Sequence, residues 1–261
     1  MAASVFEEVR ELQHVLRLRT HVLGIQFHKE KAKEQDPRIL SPAHAMAPCQ
    51  TFGLCRTSGK TIRLTAETTM GSAADAPWGN CASIFGLADP LEIIMNGEML
   101  GHGCFKDPYT AAQAQKAIRR IPSGTIKEIV IGPADGGIFE PDVLMVYGTP
   151  GQIMQLMNGL CYQDYAPVEM RFVGESSCSD GVVTCYLDKK PAGTIPCYGE
   201  RQRGGVEDGE IVLAMLPESL GPALEGIRSW QELGNSYPVI PLGSQCDPMS
   251  EPAVNVYKAL E

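Results

Sequence analysis

Apolar and polar positions recur along this chain with two periods, and the period assigns the elements. Near the start, Phe6, Val9, Leu12, Val15 and Leu18 fall at helical spacing between charged residues, which predicts an amphipathic helix over 4–19. Residues 22–28 alternate and read as a strand. Residues 29–48 are charged, then proline-rich, and read as a loop. Pro48 suits the first turn of a helix through Cys49 and Cys55, with Gly59 at its end. Residues 61–67 alternate as a strand. A short apolar helix over 81–87 follows Asn80, a good N-cap. An alanine-rich helix over 108–121 opens on a proline and is closed by Pro122.

The later chain uses the same signals. Strands are predicted at 126–131, 142–147, 168–173 and 210–216. A helix over 151–160 places Ile153, Leu156, Met157 and Leu160 on one face, and another runs from Pro217 to about Trp230. Met145, Met154, Met157 and Met170 read as core filler. From Gly234 to Glu261 four prolines mark an irregular tail. Two stretches, 142–156 and 210–220, share an acidic residue, a buried strand, a proline turn and a helix. A fainter echo pairs 55–64 with 201–213. The expectation is one α+β domain over 1–261, a mixed sheet with flanking helices, with an internal pseudo-duplication as one outcome.

Composition narrows the function class. A chain of 261 residues, 44% hydrophobic and 20% charged, is an ordinary globular composition able to bury a large core. A net charge of −9 without a basic stripe argues against nucleic acid or an anionic membrane as partner. No stretch approaches the roughly 18 apolar residues of a membrane helix, and the first residues lack the order of a signal peptide, so the expected location is cytoplasmic. There are nine cysteines, and in a reducing compartment they read as buried thiols, metal ligands or reactive thiols rather than disulfides.

The densest chemistry lies in 176–205, where Cys178, Cys185 and Cys197 stand with Arg201 and Arg203 among glycines, prolines and serines. This reads as loops presenting thiols and backbone amides. Cys197 has the best local case for reactivity: Pro196 and Gly199 make a tight turn, and nearby arginines favour a thiolate. Cys197 and Arg201 are therefore the candidate catalytic pair, although the arginine equally suits a surface pair with Glu200, Glu207 or Asp208. Gly204, Gly205 and Thr149 are candidates to offer backbone amides or a helix N-terminus to an anionic cofactor, as is the glycine-rich run 132–137. The pair His102 and Cys104 is a weak metal motif. No CxxC, GxGxxG, Walker, HExxH or GxSxG pattern is present.

Particular residues resemble a known family. They are Cys49 with Gly59-Lys60, Cys81 with Gly86-Leu87, residues 140–143, Gln152, Ser177-Cys178, and above all Pro196-Cys197-Tyr198-Gly199-Glu200-Arg201. This pattern, over about 22–228, resembles the prokaryotic domain-of-unknown-function family 169. The resemblance implies an intracellular prokaryotic setting, often anaerobic, and no established reaction. It coincides with Cys49, Cys81, Cys178 and Cys197, and four thiolates are the ligand count of an iron–sulfur cluster or a closed zinc site. Three readings stay open. The first is a redox or cofactor-handling protein with a cysteine-ligated soft-metal or iron–sulfur centre. The second is a metal-free module for a small anionic metabolite or flavin-like ligand. The third is an accessory subunit of an anaerobic enzyme complex, and a homo-oligomer is a further expectation. Whether the protein is an enzyme is left open.

Overall fold

Residues 143–147 and 211–215 are continuously apolar because both faces of their strands are covered. In the computed structural model, which describes residues 4–32, 36–69, 81–99, 101 and 103–239, eight strands form one mixed sheet. They are β1 (Leu23–His28), β2 (Ile39–Leu40), β3 (Thr61–Thr65), β4 (Glu128–Pro133), β5 (Val143–Gly148), β6 (Glu169–Arg171), β7 (Ala192–Thr194) and β8 (Ile211–Met215). Their order is β2-β3-β4-β1-β5-β8-β7-β6. Along β5, Val143, Met145 and Tyr147 enter one core, while Leu144 and Val146 enter the other.

The helices are α1 (Val5–Val15), α2 (Pro48–Ser58), α3 (Cys81–Ile84), α4 (Glu92–Met95), α5 (Pro108–Ala117), α6 (Pro150–Leu160), α7 (Thr184–Asp188), α8 (Tyr198–Gly204) and α9 (Leu220–Glu232). One face of the sheet is covered by α1, α6 and α9, through Val9, Leu12, Ile153, Leu156, Leu224 and Ile227. Ser4 and Thr149 cap α1 and α6 with full capping boxes, which fixes where those helices begin. The other face is covered by α2, α3, α7 and the connections between them, through Phe52, Cys55, Phe85, Val182 and Cys185.

The sheet is a duplication. Outward from its centre the order is β1-β4-β3-β2 on one side and β5-β8-β7-β6 on the other. In each half the outermost pair is parallel and the inner pairs are antiparallel. The two halves join through the antiparallel pair β1 and β5. The echoes seen in the sequence align the wrong elements. They set β5 against β8 and α2 against α8, whereas the topology sets β5 against β1 and β8 against β4. The repeat lives in backbone pairing, which constrains burial but not residue identity.

Three further readings are corrected. The loop over 29–48 contains the short edge strand β2. The stretch 176–205 is not mainly loop: it holds a π-helical turn over Ser179–Val183, then α7, β7 and α8. Met154 is exposed rather than core. Trp78, Asn80, His102, Cys246 and the tail from residue 240 lie outside the described residues.

Candidate functional site

The duplicated topology brings four cysteines to one place. Cys49 is the second residue of α2, on the connection that leaves β2. Cys178 immediately precedes the π-helical turn on the connection that leaves β6, the counterpart strand. Cys81 is the first residue of α3, after β3, and Cys197 is the N-cap of α8, after the counterpart β7. Each half therefore supplies two thiols, both at helix starts, from equivalent connections. All four line one cavity of about 390 Å³. A fifth, Cys104, is exposed and lines the same cavity.

Glycines let the halves close. Helices α2 and α8 cross so tightly that a Cβ on Gly53 would stand 2.4 Å from the Gly204 carbonyl oxygen. A Cβ on Gly204 would stand 2.6 Å from the Cys49 carbonyl oxygen. Only a bare backbone fits at either position. The crossing sets the start of α2 beside the start of α8: a carbon placed on Gly199 would lie 3.7 Å from the sulfurs of both Cys49 and Cys197.

The electrostatics of this cavity disfavour bare thiolates. Burial, then the neighbouring Cys81, Cys197 and Glu200, push the Cys49 thiol up to about 12. Burial and Cys197 push Cys81 up to about 11, against the pull of Arg203. Burial first, then Cys81, Cys197, Glu200 and Cys49, drive Cys178 well above the usual thiol range. The sulfurs are close enough to repel one another as anions, so a cation among them would relieve both burial and repulsion. Among the described residues, no three His, Cys, Asp or Glu side chains are placed to hold a single metal ion.

Behind Cys197 lies a buried polar network that the sequence did not signal. Glu200 is 1% exposed and lines the cavity. Tyr147 donates its hydroxyl to Oε1 at 2.9 Å, and Ser177 donates to Oε2 at 2.6 Å. The Cys197 amide donates to the same Ser177 hydroxyl at 3.2 Å. Arg56 lies over the Tyr147 ring, 4.3 Å from its centre, and pairs with Glu210 at 2.8 and 3.0 Å. Burial raises the Glu200 carboxyl above its ordinary value, opposed by the bonds from Ser177 and Tyr147.

The other predicted site residues are elsewhere. Arg201 does not line the cavity; it donates to the Glu207 carbonyl at 2.7 Å and faces Asp208 at 3.6 Å, the surface pairing its sequence neighbours offered. Arg203, two residues on, takes the cavity position. Gly204 serves the helix crossing, and Gly205 is the left-handed C-cap of α8 at φ 63°. Thr149 caps α6 on the opposite face of the sheet, so it is not part of this cavity. The turn over Ala134–Gly136 is engaged by α1, where Gln13 bonds Asp135 at 3.2 Å.

Comparison with known proteins places the chain in a family described as uncharacterised. The family model described as DUF169, uncharacterised ArCR, matches residues 11–226. The uncharacterised protein MJ0308 of Methanocaldococcus jannaschii is 24% identical over 230 residues, covering 87% of this chain and 95% of that protein. No solved structure matches. Among the described residues no helix is long and apolar enough to cross a membrane.

Proposed function

The chain belongs to domain-of-unknown-function family 169, and from that premise we propose that it is a redox or cofactor-handling protein of anaerobic metabolism, with a thiolate-bound iron–sulfur centre on Cys49, Cys81, Cys178 and Cys197. The observation that carries this reading is the convergence of two equivalent cysteine pairs, one from each half, on a single cavity. Sulfur donors select soft metals over hard ones. A single zinc ion requires its sulfurs at about 2.3 Å from one centre, and no three of these side chains are so placed. A cluster spreads its ligands over several metal atoms, which suits four sulfurs distributed around a cavity better. Such a group would supply one-electron chemistry. The chain's own part is to hold the thiols, limit water at the buried ones and place Arg203 near Cys81, where it offsets negative charge.

A second reading rests on the cavity itself. Its volume lies within the range of small-molecule sites, its walls include Ile84 and Ile94, and Arg203 is a cation on its lining. That combination favours a small organic anion, held either beside the centre or in a metal-free protein. Anaerobic purification separates the two. Iron and sulfide bound in matching amounts, with visible absorbance bleached by dithionite, support the centre. Colourless protein without thiophilic metal, retaining a small acid, supports the second reading.

A further inference from the structure

The cavity is even-handed in its thiols and one-sided in its charge. Three residues after Cys81 stands Ile84, and three residues after Cys197 stands Glu200. Both are buried and both line the cavity. Isoleucine therefore serves at one of two like-spaced positions, so closing the core does not itself require a carboxylate. Burying one is costly unless its oxygens are hydrogen-bonded. Here each oxygen receives a donor, and the donors are not arbitrary. Ser177 adjoins Cys178, and its single hydroxyl both accepts from the Cys197 amide and donates to Glu200. Tyr147 ties the same carboxylate to β5 at the middle of the sheet.

We infer that Glu200 is the positioning residue of the site: through Ser177 it locks the Cys178 and Cys197 connections to each other and to the sheet, and its charge lowers the reduction potential of the centre they hold. This inference rests on the reading of the four cysteines as ligands. The lock follows from the bond chain amide–hydroxyl–carboxylate, in which each bond polarises the next. The effect on potential follows from burial. A fixed negative charge in a poorly screened interior disfavours the arrival of an electron at a neighbouring cluster, whose potential responds to local charge and hydrogen bonding.

The test uses the full chain, reconstituted anaerobically with ferrous iron and sulfide. Iron per chain, melting temperature and the potential from a dye-mediated redox titration are read together. Glu200→Gln removes the charge and keeps the shape, so it should retain iron at the wild-type level with a more positive potential. Ser177→Ala keeps the Glu200 side chain and cuts the tie to Cys197, so iron retained through desalting should fall several-fold with little change in melting temperature. Tyr147→Phe cuts the tie between the carboxylate and β5, so iron retained through desalting should fall as in Ser177→Ala, which keeps the test open if Glu200→Gln fails to fold. Wild-type protein that takes up no iron overturns the reading of the cysteines, and this inference with it. Wild-type protein that takes up iron, beside variants unchanged in both potential and retention, overturns the role of Glu200 alone.

Discussion

The two faces of the sheet are built by different means. On one, α1, α6 and α9 run 11, 11 and 13 residues and bury mostly apolar stripes, with Gln152 and Gln155 also buried on α6. On the other, α2 runs 11 residues but α3, α7 and α8 run only 4, 5 and 7; the starts of α2, α3 and α8 carry Cys49, Cys81 and Cys197, and Cys178 stands just before the π-helical turn. Long helices gain stability from a continuous apolar face. Short ones have little intrinsic stability and are held by what they pack against. The first face is a foundation, and the second is a set of helix starts aimed at a cavity.

If that division is right, damage to the foundation should be large and chemically silent. Leu156 is fully buried against α9 and the sheet. Leu156→Ala should cost about 2–5 kcal/mol in chemical denaturation, with iron per folded chain unchanged. A loss under about 1 kcal/mol would mean the foundation does not depend on that stripe.

Damage to the cavity face should be smaller in stability and larger in chemistry. Gly53→Ala forces a carbon against the Gly204 backbone. The expected cost is about 1–3 kcal/mol. The shifted crossing should also separate Cys49 from Cys197 and lower iron binding. Full iron binding in that variant would show that the α2–α8 crossing does not set the site.

The cavity face also carries thiols that are structural. Burial pushes Cys55 and Cys185 each up to about 12, and Cys55 donates to the Ile131 carbonyl at 3.3 Å. Their folded values lie above the ordinary thiol value of 9.0. Stability from these groups is therefore intact below about pH 9 and is lost as pH rises toward 12, because the unfolded chain ionises first. Melting temperature should decline across that window, and less steeply in Cys55→Val. An identical decline in the variant would locate the loss elsewhere.

The smallest effect is expected at Arg201. Its partner Asp208 is fully exposed, and water and salt screen such a pair to little net effect. Arg201→Ala should leave both stability and metal content near wild type, while Arg203→Ala should weaken ligand or metal retention. The reverse ranking would restore Arg201 to the site.

Periodicity made the foundation legible. The strand 143–148 and the helix over Pro150–Leu160 were readable within one residue, because burial on a regular element forces a repeating pattern. Cys49, Cys81, Cys178 and Cys197 were readable as a set from their resemblance to a family pattern, and their convergence follows from topology. The supporting residues were not legible. Glu200 and Ser177 stand inside the resembling motifs, but their burial and mutual bonding emerge only where β5 and the two cysteine connections meet around them. Arg201 and Arg203 differ by which side of a short helix they occupy, and α8 itself was hidden among glycines. The duplication was misread because equivalent strands share pairing sense, not sequence.

The central claim is that four cysteines from two like halves hold one centre. Iron per chain after anaerobic reconstitution, compared across Cys49→Ala, Cys81→Ala, Cys178→Ala, Cys197→Ala and the half-buried outlier Cys161→Ala, tests it most directly. The account predicts that each of the first four loses iron while remaining folded, and that Cys161→Ala keeps it. Wild-type protein that binds none, or a Cys197→Ala variant that binds as much as wild type, would contradict the claim.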